Sequence, residues 1–319
     1  MAEEKAVSRR LRKKWLAVVA GLMLLAVIGA VVAKAWWDSH CYDGYTPGLS
    51  NQITLRVRQQ RNGYVREDFT YESLPGEQVP VLAALPAAEQ GPFPCVILLY
   101  GIGMEKEFLD EVAGPFTQAG FALVIPEQYM RGERKVEGLG KFEGLLALRR
   151  RAALNVLDTR RLVDCLSARP DIDPDRLYLW GVSFGAITGA TAMSFEPRLR
   201  AGVLMYGGGD FNRLLTGSTQ FREMGIWFWP MMKLLTSIMK PTDPIRWVGK
   251  VAPRPLLFMN GRYDTVIPPA CAEALYRAAG EPKEMIWYDT GHEDMSREQI
   301  MAIVSDGIRW LLECGGRVN

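Results

Sequence analysis

The sequence predicts an α/β fold, a mainly parallel, twisted sheet with helices on both faces, behind one N-terminal transmembrane helix. Three observations carry this. From residue 52 onward, strand-like and helix-like segments alternate, as a parallel sheet with crossover helices requires. The run "CVILLYG" (95–101) is continuously apolar, the mark of a strand covered on both faces. Near the start, Trp15 to Ala33 form 19 residues without a charge.

Taken in order, residues 1–14 hold six basic side chains against Glu3 and Glu4. As a helix, residues 15–33 reach about 28 Å, close to the thickness of a bilayer's hydrocarbon core. The basic cluster precedes this span, and "KAWWD" (34–38) sets tryptophans behind it. Positive charge stays inside. The N-terminus is therefore expected in the cytoplasm, residues 15–33 as a signal-anchor, residues 34–51 as a tether, and residues 52–319 on the periplasmic or other extracytoplasmic side. The rival is a secreted domain, cut from a signal peptide at Ala33-Lys34-Ala35. That reading needs an apolar region longer than the usual 7–15 residues. Net charge is +2 and concentrated in the N-terminal cluster, so the body is weakly acidic and no nucleic-acid partner is expected. Five cysteines, widely spread, form neither a disulfide framework nor a paired zinc pattern. A Cys271–Cys314 bridge is the one pairing an oxidising exterior would allow.

"ITLRVRQ" and "VREDFTY" alternate as half-exposed antiparallel strands do, and "PVLAALPA" makes a third. After "CVILLYG", helical spacing over 105–120, the strand "FALVIPE" and a long amphipathic helix over 145–168 follow. "RLYLWG" (176–181) reads as a buried strand, "FGAITGATAM" as a helix and "RAGVLMYG" as a strand. Residues 208–250 break the rhythm and read as a helical cap insertion. "PLLFMNG" (255–261), a helix near 270–279, "EMIWYD" (284–289) and a helix over 296–313 restore it.

Gly181-Val182-Ser183-Phe184-Gly185 sets G-x-S-x-G on a strand-to-helix turn. Such a turn lifts the serine above the sheet edge, and flanking glycines let helix and strand pass closely. A serine needs a base to become a nucleophile. Of the two histidines, His40 lies in the tether, whereas His292 sits in "YDTGHEDM" after the last strand. Asp264, in "MNGRYDTVIPP" after the penultimate strand, is the preferred acid, with Asp210 after "MYGGG" as rival. Ser…Asp…His then runs through three successive strand ends. The oxyanion donors expected are the amides of Phe184 and of Ile102, with Gly103 next.

These motifs, with "LLYGIGMEKE", "GFALVIPEQYMRGE" and "TGHED", resemble the α/β-hydrolase superfamily over residues 52–314. The likeness is strongest to its dienelactone-hydrolase-like and acetyl-xylan-esterase-like branch. The resemblance implies hydrolysis of carboxylic esters through an acyl-enzyme on Ser183, with no metal and no organic cofactor. Many relatives place His-Gly where this chain has Tyr100-Gly101, so Tyr100 is expected to brace the oxyanion loop or to face substrate. A prolyl-peptidase assignment would want a large N-terminal domain, which these residues do not offer. In the insertion, Trp227, Phe228, Trp229, Met231 and Met232 are expected to line an acyl pocket or touch the membrane, or else to pack as a plain cap. The alternatives kept open are a non-catalytic tethered binding protein on the same fold, and a thioesterase, amidase or acyltransferase.

Overall fold

Helix α1 (Ala2–Ser39) opens the chain. In this computed structural model the described residues are 2–87, 90–217 and 229–316. They divide into two units, Met1–Asp43 and Gly44–Asn319. In the first, Arg12–Ser39 is a 28-residue helical stretch that holds an 18-residue window of mean hydropathy 2.8, long and apolar enough to cross a membrane. Its large apolar side chains, Leu22 and Leu25 among them, are exposed. The helix runs past residue 33 into the expected tether, because no glycine or proline intervenes before Gly44. There Lys34 Nζ lies 2.5 Å from Asp38 in an i,i+4 pair.

The second unit is built on nine strands: β1 (Ile53–Gln60), β2 (Tyr64–Leu74), β3 (Glu77–Pro86), β4 (Phe93–Leu99), β5 (Ala122–Pro126), β6 (Ile172–Val182), β7 (Leu199–Met205), β8 (Leu256–Gly261) and β9 (Lys283–Tyr288). Their order is β1-β2-β3-β5-β4-β6-β7-β8-β9. The first three form an antiparallel meander joined antiparallel to β5; from β5 to β9 every pairing is parallel. β1 is almost wholly exposed, whereas β4, β5, β7 and β8 are largely buried, as is β6 from Leu177 to Gly181.

Period-two alternation assigns the two faces. Val96 and Leu98 of β4, Tyr178 and Trp180 of β6, and Leu257 and Met259 of β8 share one core with α2 (Leu109–Gln118) and the last helix, α8 (Arg297–Gly316). Residues one step out of phase face the helices α3 (Lys141–Ser167), α4 (Phe184–Phe195) and α7 (Pro269–Ala278). Gly202 lies against Met193 of α4, and the Phe258 ring meets Tyr276 of α7 edge-on at 5.4 Å. The apolar strands are thus covered on both sides. Between β7 and β8 lie α5 (Phe211–Gly217), α6 (Trp229–Met239) and three short 3-10 turns.

The order β5-β4-β6 makes β4 and β6 neighbours although their crossovers depart in opposite directions. That reversal opens a crevice at the strands' C-terminal ends. The loops after β4 and β6 meet there. Cys95, Cys165, Cys271 and Cys314 are buried thiols. Cys271 and Cys314 belong to two different apolar clusters, so the bridge between them is not made.

Candidate active site

The turn between β6 and α4 holds Ser183 at φ 53°, a left-handed conformation unusual for a residue with a side chain. Its amide donates to the Met205 carbonyl of β7 at 2.8 Å, and its carbonyl accepts from Ala186 and Ile187. The two glycines make this turn possible. A Cβ on Gly185 would run into the carbonyl of Leu99, and one on Gly181 would come within 2.5 Å of the α4 backbone. Loss of either hydrogen atom to a methyl group would push the helix off the strand and take the serine with it.

His292 and Asp264 arrive from the loops after β9 and β8. Ser183 Oγ lies 2.9 Å from His292 Nε2, and His292 Nδ1 lies 2.6 Å from Asp264 Oδ2. The other carboxylate oxygen, Oδ1, accepts from the amides of Val266 and Ile267 at 2.9 and 2.8 Å. A carboxylate only accepts, so the Nδ1 proton stays on the Asp264 side and the Nε2 lone pair faces the hydroxyl. The His292 and Asp264 side chains are 11% and 2% exposed, a setting in which water does little to screen the pair.

The structure also separates the rivals. Asp210 caps α5, accepting from the Arg213 amide at 3.1 Å and pairing with the Arg213 side chain. His40 belongs to the first unit, where Nδ1 bonds to the Trp36 carbonyl at 2.6 Å. Two residues not picked out from the sequence join the row. Tyr206, at φ 52°, sets its ring edge-on to His292 at 5.7 Å and hydrogen-bonds through its hydroxyl to Thr290. Together they fix where the imidazole lies. Their only sequence signal is an aromatic and a β-branched residue beside two strand ends.

The loop after β4 is held by its carbonyls, each taken by a donor. Tyr100 O accepts from Gln128 Nε2 at 2.7 Å and Gly101 O from the Met104 amide at 3.2 Å. Ile102 O accepts from Arg151 at 3.3 Å, and Gly103 O and Met104 O from Arg131 at 2.9 and 3.0 Å. Arg151 also donates twice to Gln128 Oε1 and stacks over the Phe184 ring at 4.9 Å. It touches both residues from which oxyanion donors are expected. Burial pulls its guanidinium down to about 10, still well above neutral pH, so it remains a cation. Gly101 comes close to Ser183, since a Cβ there would lie 3.4 Å from Ser183 Cβ. Phe184, in the first turn of α4, has an amide with no acceptor inside the helix.

Tyr100 is corrected as a substrate-facing residue. It is fully buried, donates its hydroxyl to Glu127 at 2.5 Å and accepts from the Gln128 amide at 2.8 Å. Burial, and then the Glu127 charge, push the hydroxyl well above the ordinary phenol range, so it stays a donor. Lys106 adds a second hydrogen bond to Glu127 at 2.9 Å. Tyr100 therefore braces the loop from beneath.

A cavity of about 190 Å³ opens beside Ser183, walled by Ile102 and Phe184, by Phe211 and Leu214 of α5, and by Leu235 and Met239 of α6. Trp227 and Phe228 lie outside the described residues, as do the side chains of Trp229 and Met231. Met232 is half-buried, and the described α6 residues that line the cavity are instead those one and two turns further on. A hollow of about 760 Å³ lies at the opposite, N-terminal edge of the sheet, between Arg58, Glu67 and Arg169. Glu67 pairs with both arginines, and no nucleophile–base pair lies among the described lining residues.

Fold and site together define a serine hydrolase with the α/β-hydrolase fold. The family model of the prolyl oligopeptidase family matches residues 148–317, from α3 to the C-terminal helix, and the chain belongs to that family. It is 27% identical over 230 residues to YitV of Bacillus subtilis (strain 168), covering 68% of this chain and 88% of that protein. It is 25% identical to esterase YjfP of Escherichia coli (strain K12), over 64% of this chain and 82% of the relative. Among solved structures, acetyl xylan esterase 1 from Thermoanaerobacterium sp. JW/SL YS485 superposes with a TM-score of 0.65 at 22% identity, covering 88% of this chain and 93% of that one.

Proposed function

We propose that the protein is a membrane-anchored serine esterase, cleaving carboxylic esters through an acyl-enzyme on Ser183. The observation that carries this reading is the hydrogen-bonded row Ser183–His292–Asp264 at the C-terminal edge of the parallel sheet. Its likeness in sequence to esterase YjfP favours an ester over a peptide.

In this mechanism His292 Nε2 takes the Ser183 proton as Oγ attacks the ester carbonyl carbon. Negative charge develops on the carbonyl oxygen, and the amides of Phe184 and Ile102 are the donors for it. The tetrahedral intermediate collapses. The carbon–oxygen bond to the alcohol breaks, and the alcohol leaves with the proton from His292. Water then attacks the acyl-enzyme, its proton passes through His292 to Oγ, and the free acid departs. Asp264 keeps the imidazole in the tautomer and orientation that both steps need, and its charge stabilises the imidazolium. Arg151, Arg131 and Gln128 hold the oxyanion loop against that charge.

In the proposed organisation, residues 1–14 are the cytoplasmic N-terminus and residues 15–33 the anchor. Residues 34–51 lead to a hydrolase domain over 52–319, with its cap at about 208–250, on the far side of the membrane. Covalent labelling by a fluorophosphonate tests the site. The intact protein should label, and Ser183→Ala, folded to the same thermal stability, should not. Equal labelling of that variant would refute the assignment.

A further inference from the structure

We infer that the substrate is an ester of an apolar acid of about six to eight carbons, its acyl chain housed in the cavity beside Ser183. This names the substrate class for the esterase reading above and rests on it.

The cavity decides which half of the ester it takes. Ser183 and Phe184 line it, and His292 is not among its lining residues. The leaving alcohol must receive its proton from His292 Nε2, so the alcohol lies on the imidazole flank. What remains bonded to Oγ is the acyl group, and that is the half facing the cavity.

The wall decides the chemistry. Apart from Ser183, every described lining side chain is apolar, Ile187, Leu214, Leu235 and Ile267 among them. The two neighbouring cations turn away. Arg149 donates to the Ile238 carbonyl, and Arg151 is held by Gln128 and the Ile102 carbonyl. A sugar hydroxyl or a second carboxylate placed here would surrender its water and find no partner. A hydrocarbon chain loses nothing and gains burial.

The volume decides the length. A cavity of about 150 Å³ lined by Leu, Ile and Phe holds a benzene ring. At about 190 Å³ this one has room for about six to eight carbons on that scale. An acetyl group would leave most of the wall without contacts, and a dodecanoyl chain would overrun it.

The test is kcat/KM of the full chain in detergent on 4-nitrophenyl esters from acetate to dodecanoate. Each methylene should add about fourfold up to hexanoate or octanoate, with a fall at dodecanoate. Narrowing the wall with Leu235→Trp should lower the octanoate-to-acetate ratio at least tenfold. Widening it with Phe211→Ala should move the optimum to a longer chain. Acetate as the best substrate, or an unchanged ratio in a Leu235→Trp protein that still labels at Ser183, would overturn the acyl assignment and leave the hydrolase reading standing. No labelling and no ester turnover would overturn both.

Discussion

Ser183, Asp264 and His292 each follow a parallel strand within a few residues, after β6, β8 and β9. Five of the twelve described residues that wall the cavity beside them come from α5 and α6, which lie in the excursion between β7 and β8. The first region is positioned by main-chain hydrogen bonds. β6 is in register with β7, and β8 with β9 from Leu256–Lys283 to Gly261–Tyr288, so their C-terminal loops must emerge side by side. The second region is positioned by side-chain packing, and which helix face meets the cavity depends on rotations of the helices. A backbone-built row tolerates little chemical change, whereas a packed wall tolerates graded change of shape.

Substitutions at the sheet edge should accordingly have the largest effects. Asp264→Asn keeps the shape but no longer fixes the imidazole tautomer, so kcat should fall about ten-thousand-fold. Asp210→Asn, which only weakens a helix cap, should change kcat by less than about threefold, the cost of a surface cap residing in stability. Steady-state kinetics on one ester would sharpen the comparison, and equal losses would break it.

Gly185→Ala comes next, because its methyl group meets the Leu99 carbonyl. Overpacking against backbone should cost about 3 kcal/mol and lower Tm by about 5 °C in a domain of this size, read by differential scanning calorimetry. A neutral change would mean that the helix and strand are not in contact at the turn.

The oxyanion loop sits between the two regimes, with its backbone held by side chains. Arg151→Met should release the Ile102 carbonyl and lower kcat about a hundredfold, the order expected from a shift of about 1 Å in a reacting group, with KM little changed. If Arg151 were only structural, Arg151→Met would lower Tm and leave kcat of the folded fraction intact.

The smallest effect lies at the far edge, away from the site. Burial pulls the Asp171 carboxyl up, but hydrogen bonds and charge from Arg169 outweigh it and bring it below the ordinary carboxylate range. A depressed folded value means that the ionised form stabilises the fold above the unfolded carboxyl's pKa of about 3.9. That stabilisation is lost as pH falls through the folded value. The group is partly exposed, so solvent screening limits its worth to about 1 kcal/mol or less. Asp171→Asn should lower Tm slightly at pH 7, with the difference shrinking as pH falls through the folded carboxyl's depressed value and vanishing once the carboxyl is protonated. A difference that persisted there would point to packing.

The same contrast explains what could be read from the sequence. Strand-helix alternation and continuous apolar runs gave the mainly parallel sheet and its two covered faces, since burial on both sides leaves a direct trace in residue type. The nucleophile turn was legible because close approach of α4 to β6 demands glycine at 181, and its approach to the end of β4 demands glycine at 185. Asp264 and Asp210 both follow strands and looked alike. Only the fold shows that one reaches His292 while the other caps α5. Arg131, Arg151 and Gln128 escaped notice, because a hydrogen bond to a carbonyl 25 to 50 residues away imposes no local pattern. Of the α6 side chains expected to line the pocket, Met232 is half-buried and outside the cavity's lining, and those of Trp229 and Met231 lie outside the described residues. The cavity takes Leu235 and Met239, spaced i and i+4 on one face. The expected tether began as helix because its first residues, "KAWWDS", hold neither glycine nor proline and so continue α1 to Ser39.

The most direct measurement is mass spectrometry of the acid-quenched enzyme during turnover of a 4-nitrophenyl ester. One acyl group is expected, carried by the peptide that contains Ser183, absent in Ser183→Ala and accumulating when water attack is slowed. Rapid turnover with no adduct at any quench time, or an adduct on another residue, would contradict it.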